Sequence, residues 1–191
     1  MEKEALLELT KLIEDKSIRK FVITCLGMTP AYFWKIPASS TGKYHPEISL
    51  GEGGLVRHTI KAVEYGTALC ERNSIVGEDK DKILAALFLH DACKAGTKDQ
   101  ENHKHYRYHA HLPKQYFKEP AKNIPQVASE IFEMIDSHMG QWSNYPSKPP
   151  RTRLQKLTHF ADYLASRKNQ PVEDWKEEIS GLEGYDGSFV L

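Results

Sequence analysis

The chain has 191 residues, of which 40% are hydrophobic and 27% charged, the profile of an ordinary globular domain with enough apolar mass for one core. Lysine and arginine total 26, and aspartate and glutamate total 26, which excludes the overall basic field that draws a protein onto long nucleic acid or anionic membrane. No apolar run approaches the roughly 18 residues of a membrane span, and the opening Met1-Glu2-Lys3-Glu4 lacks the pattern of a signal peptide. Cys25, Cys70 and Cys93 are odd in number and widely spaced, so neither a disulfide framework nor a thiolate zinc motif is indicated. A cytoplasmic protein with no membrane association is expected.

Leu6, Leu7, Leu9, Leu12 and Ile13 recur at helical spacing from Glu2 to Asp15, and Ile18, Phe21, Val22 and Leu26 do so from Ser17 to Met28. Two amphipathic helices within 1–36 are predicted to pack on the core. Thr29-Pro30 ends the second, and from Pro30 to Gly54 periodicity gives way to Pro, Ser, Gly and aromatic residues. A loop of that length in a compact domain is more often functional than accidental. Helical pattern returns with Leu55, His58, Ala62, Tyr65 and Leu69 on one stripe. The next helix is expected over about 80–94, with Ile83, Leu87, His90, Asp91 and Lys94 on one face. A polar, His-rich stretch from Lys98 to Arg107 with His103 and His105 follows, then a short helix over His109 to Glu119, with His111 in it, stopped before Pro120. Val127, Ile131, Ile135 and His138 mark another helix closed by Gly140. The last strong one, up to Arg167, carries Leu154, Thr158, Ala161, Asp162 and Ala165 on one face. Residues 169–191 form a tail in which Trp175, Ile179 and Leu182 suggest one more short helix. No strand alternation occurs anywhere, so the class is an all-α, single-domain helical bundle with its core in 37–168.

Four predicted helices each turn a metal-ligating side chain inward: His58, His90 with Asp91, His138, and Asp162. A buried carboxylate is costly unless it is paired or coordinated, and bundles build metal sites from ligands on facing helices. Imidazole and carboxylate without thiolate suit Mn, Mg, Fe, Co, Ni or Zn in a catalytic rather than a purely structural role.

Gly53-Gly54-Leu55-Val56-Arg57-His58-Thr59, His90-Asp91-Ala92-Cys93-Lys94, Ser137-His138-Met139-Gly140 and Leu157-Thr158-His159-Phe160-Ala161-Asp162-Tyr163-Leu164 together resemble, in order and spacing, the HD-domain metal-dependent phosphohydrolases. The resemblance covers roughly residues 45–168. It implies an all-α bundle of the HD-domain type and a shared ligand set of His58, His90, Asp91 and Asp162. Members with two ions add two histidines, which here correspond to His109 and His138. His109 is preferred over His111 because Leu112 supplies the hydrophobic residue that the family places three positions after this ligand. Binuclear members with a Ser-His-His-Gly motif have a histidine where this chain has Met139.

One or two divalent ions are therefore expected, with Asp91 as the bridging and catalytic carboxylate and Lys94 beside it to stabilise phosphoryl charge. Lys94 also fits as a helix-end cation. In the irregular segment, Ser39, Ser40, Thr41, Lys43, Tyr44 and His45 can cradle phosphate, with Lys43 and His45 as the nominated substrate contacts. Trp142 and Tyr145 offer faces for a base or a cap for the bundle, and Arg107, Arg151 and Arg153 either bind further phosphates or solvate the surface. The activity expected is metal-dependent hydrolysis of phosphoester bonds in a small-molecule nucleotide or a short single-stranded nucleic-acid end, by a nucleotidase, phosphodiesterase or exonuclease. The alternatives are a non-catalytic nucleotide-binding, regulatory module and, since the family also holds a few such members, an iron-dependent oxygenase. The sequence admits a homo-oligomer without indicating one.

Overall fold

A computed structural model describes residues 1–39, 42–43, 45–99, 107–143 and 146–168, and within them the backbone is helical with no strand. Eight helices follow one another: α1 (Glu2–Leu9), α2 (Lys16–Met28), α3 (Gly54–Arg72), α4 (Gly77–Leu89), α5 (Leu112–Tyr116), α6 (Lys118–Ala121), α7 (Pro125–Ser137) and α8 (Arg153–Ala165). The tail helix suggested by Trp175, Ile179 and Leu182 lies outside the described residues, as do Ser40, Thr41, Tyr44, His103, His105 and Tyr145.

Helix α4 is the axis of the bundle. From Asp81 to Leu89 every residue is buried, which a helix can sustain only when neighbours cover it on all sides. Helices α2, α3, α7 and α8 supply that cover, and α8 also packs along α3. Leu6, Phe21 and Leu26 at the N-terminal end, Leu84 and Phe88 of α4, and Ile131 and Phe160 further on belong to one continuous apolar cluster. One polar group beside it is paired with backbone. The carboxylate of Asp81 accepts the backbone N–H groups of Glu14 and Asp15 at 2.9 and 2.7 Å, pinning the link between the first two helices.

The first helix is shorter than its hydrophobic pattern suggested. Thr10–Leu12 tightens into a 3-10 turn, and Asp15 instead caps α2 by accepting from Ser17 and Ile18, the usual use of an Asp at a helix start. The paired glycines before α3 also have a reason. A side chain on Gly54 would sit 2.3 Å from the carbonyl oxygen of Ser49, so only glycine lets the irregular segment close against the start of α3. Gly53 hydrogen-bonds through its N–H to Lys35, and Leu55 to Ile36, which fixes that segment across the helix that carries His58.

Candidate metal centre

The central helix ends earlier than expected, at Leu89 rather than near Lys94, and this early end shapes the site. His90 caps the helix: its Nδ1 lies 2.7 Å from the carbonyl oxygen of Leu87. The backbone then closes in three-residue turns, with Ala92 N–H to Leu89, Lys94 N–H to Asp91 and Gly96 N–H to Cys93. Buried Tyr32 stitches this turn to the N-terminal half, donating its hydroxyl to Gly96 at 2.5 Å and accepting the Ala95 N–H at 3.0 Å. Asp91 and Lys94 thus sit on a braced turn and not on a helical stripe.

His138 repeats the device at the end of α7, with Nδ1 2.7 Å from the carbonyl of Ile135. A carbonyl can only accept, so Nδ1 carries a proton in both rings, and Nε2 is the atom that faces inward and offers a lone pair whenever the ring is neutral. Such tautomer locking is the common second-sphere support of metal-ligating histidines.

The inward atoms fall into two sets, within each of which all ligand atoms lie within 4.8 Å of one another: His58, His90 and Asp162, and Asp91, His109 and His138. In the first, His58 Nε2 lies 3.2 Å from His90 Nε2, and Asp162 Oδ1 lies 2.9 and 3.3 Å from those two atoms. In the second, His109 Nε2 lies 3.2 Å from His138 Nε2 and 3.2 Å from Asp91 Oδ1, while His138 Nε2 to Asp91 Oδ1 spans 3.8 Å. Metal–ligand bonds of about 2.0–2.2 Å set neighbouring donors about 2.9–3.6 Å apart in tetrahedral or octahedral arrangements. The first set fits throughout and the second is looser on one edge. Asp91 joins them: Oδ1 faces His109 and His138, and Oδ2 faces His90 at 3.4 Å and His58 at 3.7 Å. Oδ1 is buried and makes no hydrogen bond among the described residues.

The electrostatics keep both carboxylates charged in spite of their burial. Burial opposes ionisation of Asp91, yet Lys94 and His90 outweigh it and hold the carboxyl well below its usual range. Asp162 is lowered likewise by His90 and His58 against its burial. His90, whose charging burial disfavours, is pushed up to about 10 by Asp91 and Asp162. A divalent ion at this position would take the place of the proton. His138 moves the other way, to about 3, because burial with His90 and His109 nearby outweighs the attraction of the carboxylates.

A cavity of about 400 Å³ opens beside the ligands, lined in part by Lys94, His138, Asp162, His45 and Trp142. A larger one, about 630 Å³ and lined by residues such as Ile75, Glu133 and Leu154, includes no ligand. All six expected ligands, His58, His90, Asp91, His109, His138 and Asp162, converge. Lys94 Nζ reaches Asp91 Oδ2 at 2.6 Å while lining the cavity, so it both pairs with the carboxylate and faces the space beyond. His45 packs its ring 5.5 Å from that of His58, and burial, with His58 and Lys94 alongside, lowers it to about 4. Lys43 is a correction: it is exposed and absent from the cavity wall, since the loop turns the imidazole inward and the longer cation to solvent. His111 is likewise outside, bonded to Asp136 at 2.9 Å on the surface. Arg153 bonds to Asn73 and lines the larger cavity.

Sequence reasoning passed over His159, Tyr163 and Arg167 as wall residues. His159, Asp162, Tyr163 and Ser166 follow the i, i+3, i+4, i+7 rhythm of one helical stripe, a signal that would have found most of them. His159 Nδ1 lies 2.6 Å from the carbonyl of His138, and its ring fills the space where a side chain on Gly140 would stand, 2.2 Å away.

The family model described as HD domain matches residues 55–167. Neither the curated proteins nor the solved structures yield a match.

Proposed function

We propose, on the premise that this chain belongs to the HD-domain family, a family of metal-dependent hydrolases, that it cleaves phosphoester bonds in nucleotides or in short single-stranded nucleic-acid ends. The observation that carries this reading is Asp91, whose two oxygens face two separate ligand sets. A carboxylate so placed could serve both ligand sets if each held an ion. His58, His90 and Asp162 would hold one and His109 and His138 the other, in a site where buried His and Asp groups suit a divalent cation.

Such ions supply charge neutralisation at the phosphoryl group and lower the pKa of a bound water towards neutrality. The chain's own residues do the remainder. His90 and His138 keep their Nε2 lone pairs aimed through carbonyl-locked tautomers. Asp91 holds both ligand sets in register, and Lys94, at the cavity wall, adds positive charge where negative charge develops on phosphoryl oxygens. The balanced overall charge favours small or single-stranded substrates over long duplex. Free, buried Cys25, Cys70 and Cys93 accord with a reducing, cytoplasmic setting. Among the described residues no helix is long and apolar enough to cross a membrane.

The test is release of phosphate or nucleotide from a panel of nucleoside mono-, di- and triphosphates and short single strands, with Mn, Mg, Co or chelator, in wild type and Asp91→Asn. Metal-dependent turnover that falls about a thousandfold or more in the variant is expected, from several kcal/mol of lost transition-state stabilisation. A metal-loaded wild type that cleaves nothing on the panel overturns the reading.

A further inference from the structure

Trp142 is anomalous for its position. Its side chain lines the cavity beside the ligands His138 and Asp162, yet it is 44% exposed, one of the few large hydrophobic residues left in that state. It also rests on other rings. Its ring lies parallel to that of Tyr163, at 5° and 5.9 Å between centroids, and Tyr163 carries the guanidinium of Arg167 over its own ring at 4.2 Å. His159 packs against both aromatic rings, at 6.3 and 6.2 Å, and ties them to the His138 carbonyl through Nδ1. An exposed aromatic ring stacked on a second ring, in the wall of the cavity beside the ligands, has little to offer the core. A planar ring laid on it would extend a stack that the fold has already formed.

Resting on the phosphohydrolase reading, we propose that Trp142 is a specificity-determining platform that stacks a planar heteroaromatic ring of the substrate while the phosphoryl group sits by Lys94 and the ligand sets. The cavity volume of about 400 Å³ is at the small end of small-molecule sites, a space for a single nucleotide unit. That unit is either a free nucleotide or the terminal residue of a strand, since both present the same ring and phosphate.

Two substrate pairs separate the ring from everything else: adenosine 5′-monophosphate against ribose 5-phosphate, and a short oligonucleotide against the same strand with an abasic terminal residue. For each pair the manganese-loaded wild type and the Trp142→Ala and Trp142→Phe variants are compared by the ratio of kcat/KM between the base-bearing and baseless members. Stacking of one base corresponds to about 5- to 150-fold, so Trp142→Ala is expected to cut that preference tenfold or more, and Trp142→Phe to restore most of it. The pair that shows the effect identifies the source of the ring. An unchanged preference in Trp142→Ala, or an equal loss on both members of each pair, overturns the proposal. If the wild type turns over neither pair, the hydrolase reading is judged separately on the full panel of nucleotides and strands. Calorimetric binding of the same pairs to the manganese-loaded proteins then decides on Trp142, with a base-dependent loss of affinity supporting the platform and its absence overturning it.

Discussion

The two ligand sets share the shape of a metal site but stand on different foundations. His58 projects from the second turn of α3 and Asp162 from the last turns of α8, both inside helices that pack along each other, and His90 closes the central helix. The other set is drawn from ends and turns: Asp91 from the turn after α4, His109 from a 3-10 turn ahead of α5, and His138 from the end of α7. The closest donor spacings reflect this, at 2.9, 3.2 and 3.3 Å on the helix side and 3.2, 3.2 and 3.8 Å on the turn side. Ligands held by packed helices need less rearrangement to meet an ion, so the helix-side set is expected to bind the more tightly.

The largest consequence is an ordered loss of metal. Titrating the manganese-loaded protein with a chelator, while following bound metal and thermal unfolding, is expected to release the His109–His138 ion first. A plateau at one ion per chain should follow, still stabilised relative to the stripped protein. An ion present at about a thousand times its dissociation constant stabilises by about 4 kcal/mol, so the second release should bring the larger fall in unfolding temperature. His109→Ala should start from that plateau, whereas His90→Ala should weaken both ions, because His90 also faces Asp91. Simultaneous release of both ions in one step would erase the distinction between the two foundations.

The same contrast explains what could be read from the sequence. His58 and Asp162 announce themselves because each occupies an inward position on a helix whose apolar residues repeat around it. His90 is legible as a member of such a stripe and His138 as the last of one, though their role as caps is not, since a cap depends on where the helix stops. The stop itself was misjudged at α4. The apolar run continues through Ala92 and Cys93, and only the carbonyl contacts of His90 and the long-range bonds from Tyr32 show that the backbone has left the helix. His109 had no period to identify it, and the choice against His111 rested on family likeness. Lys43 and His45 sit two positions apart in a segment without repeat, so nothing in their order indicated which would turn inward. The cavity wall of His159, Tyr163 and Arg167 depends on how α8 meets Trp142 across the loop, a tertiary fact to which single-helix periodicity contributes only half.

Gly140 offers a sharper probe of the turn side alone. It adopts φ +56° immediately after Met139, and a methyl group there would overlap the His159 ring, whose Nδ1 holds the His138 carbonyl. Gly140→Ala is expected to cost about 1–3 kcal/mol of stability from the left-handed backbone and to displace His159 with it. The His109–His138 ion should then bind more weakly while the His58–His90–Asp162 ion keeps its affinity. Denaturant unfolding of the metal-free protein measures the first effect, and manganese titration the second. Equal weakening of both ions would mean that the strain travels through Asp91 and that the two sets behave as one.

The smallest expected effect discriminates most finely between neighbours. His111 stands two residues from His109 on the same 3-10 turn, but His109 is 6% exposed and faces Asp91 and His138, whereas the His111 side chain is 49% exposed and pairs with Asp136, which also accepts from Ser147. Exposed ion pairs contribute roughly 0–1 kcal/mol, so His111→Ala should lower stability by no more than about that amount and leave two ions bound. His109→Ala, two positions away, should remove one. A His111→Ala protein that binds a single ion would show that the surface pair with Asp136 sets the orientation of the turn. The turn-side set would then owe its geometry to a solvent-screened contact, and its affinity should fall with added salt where that of the helix-side set does not.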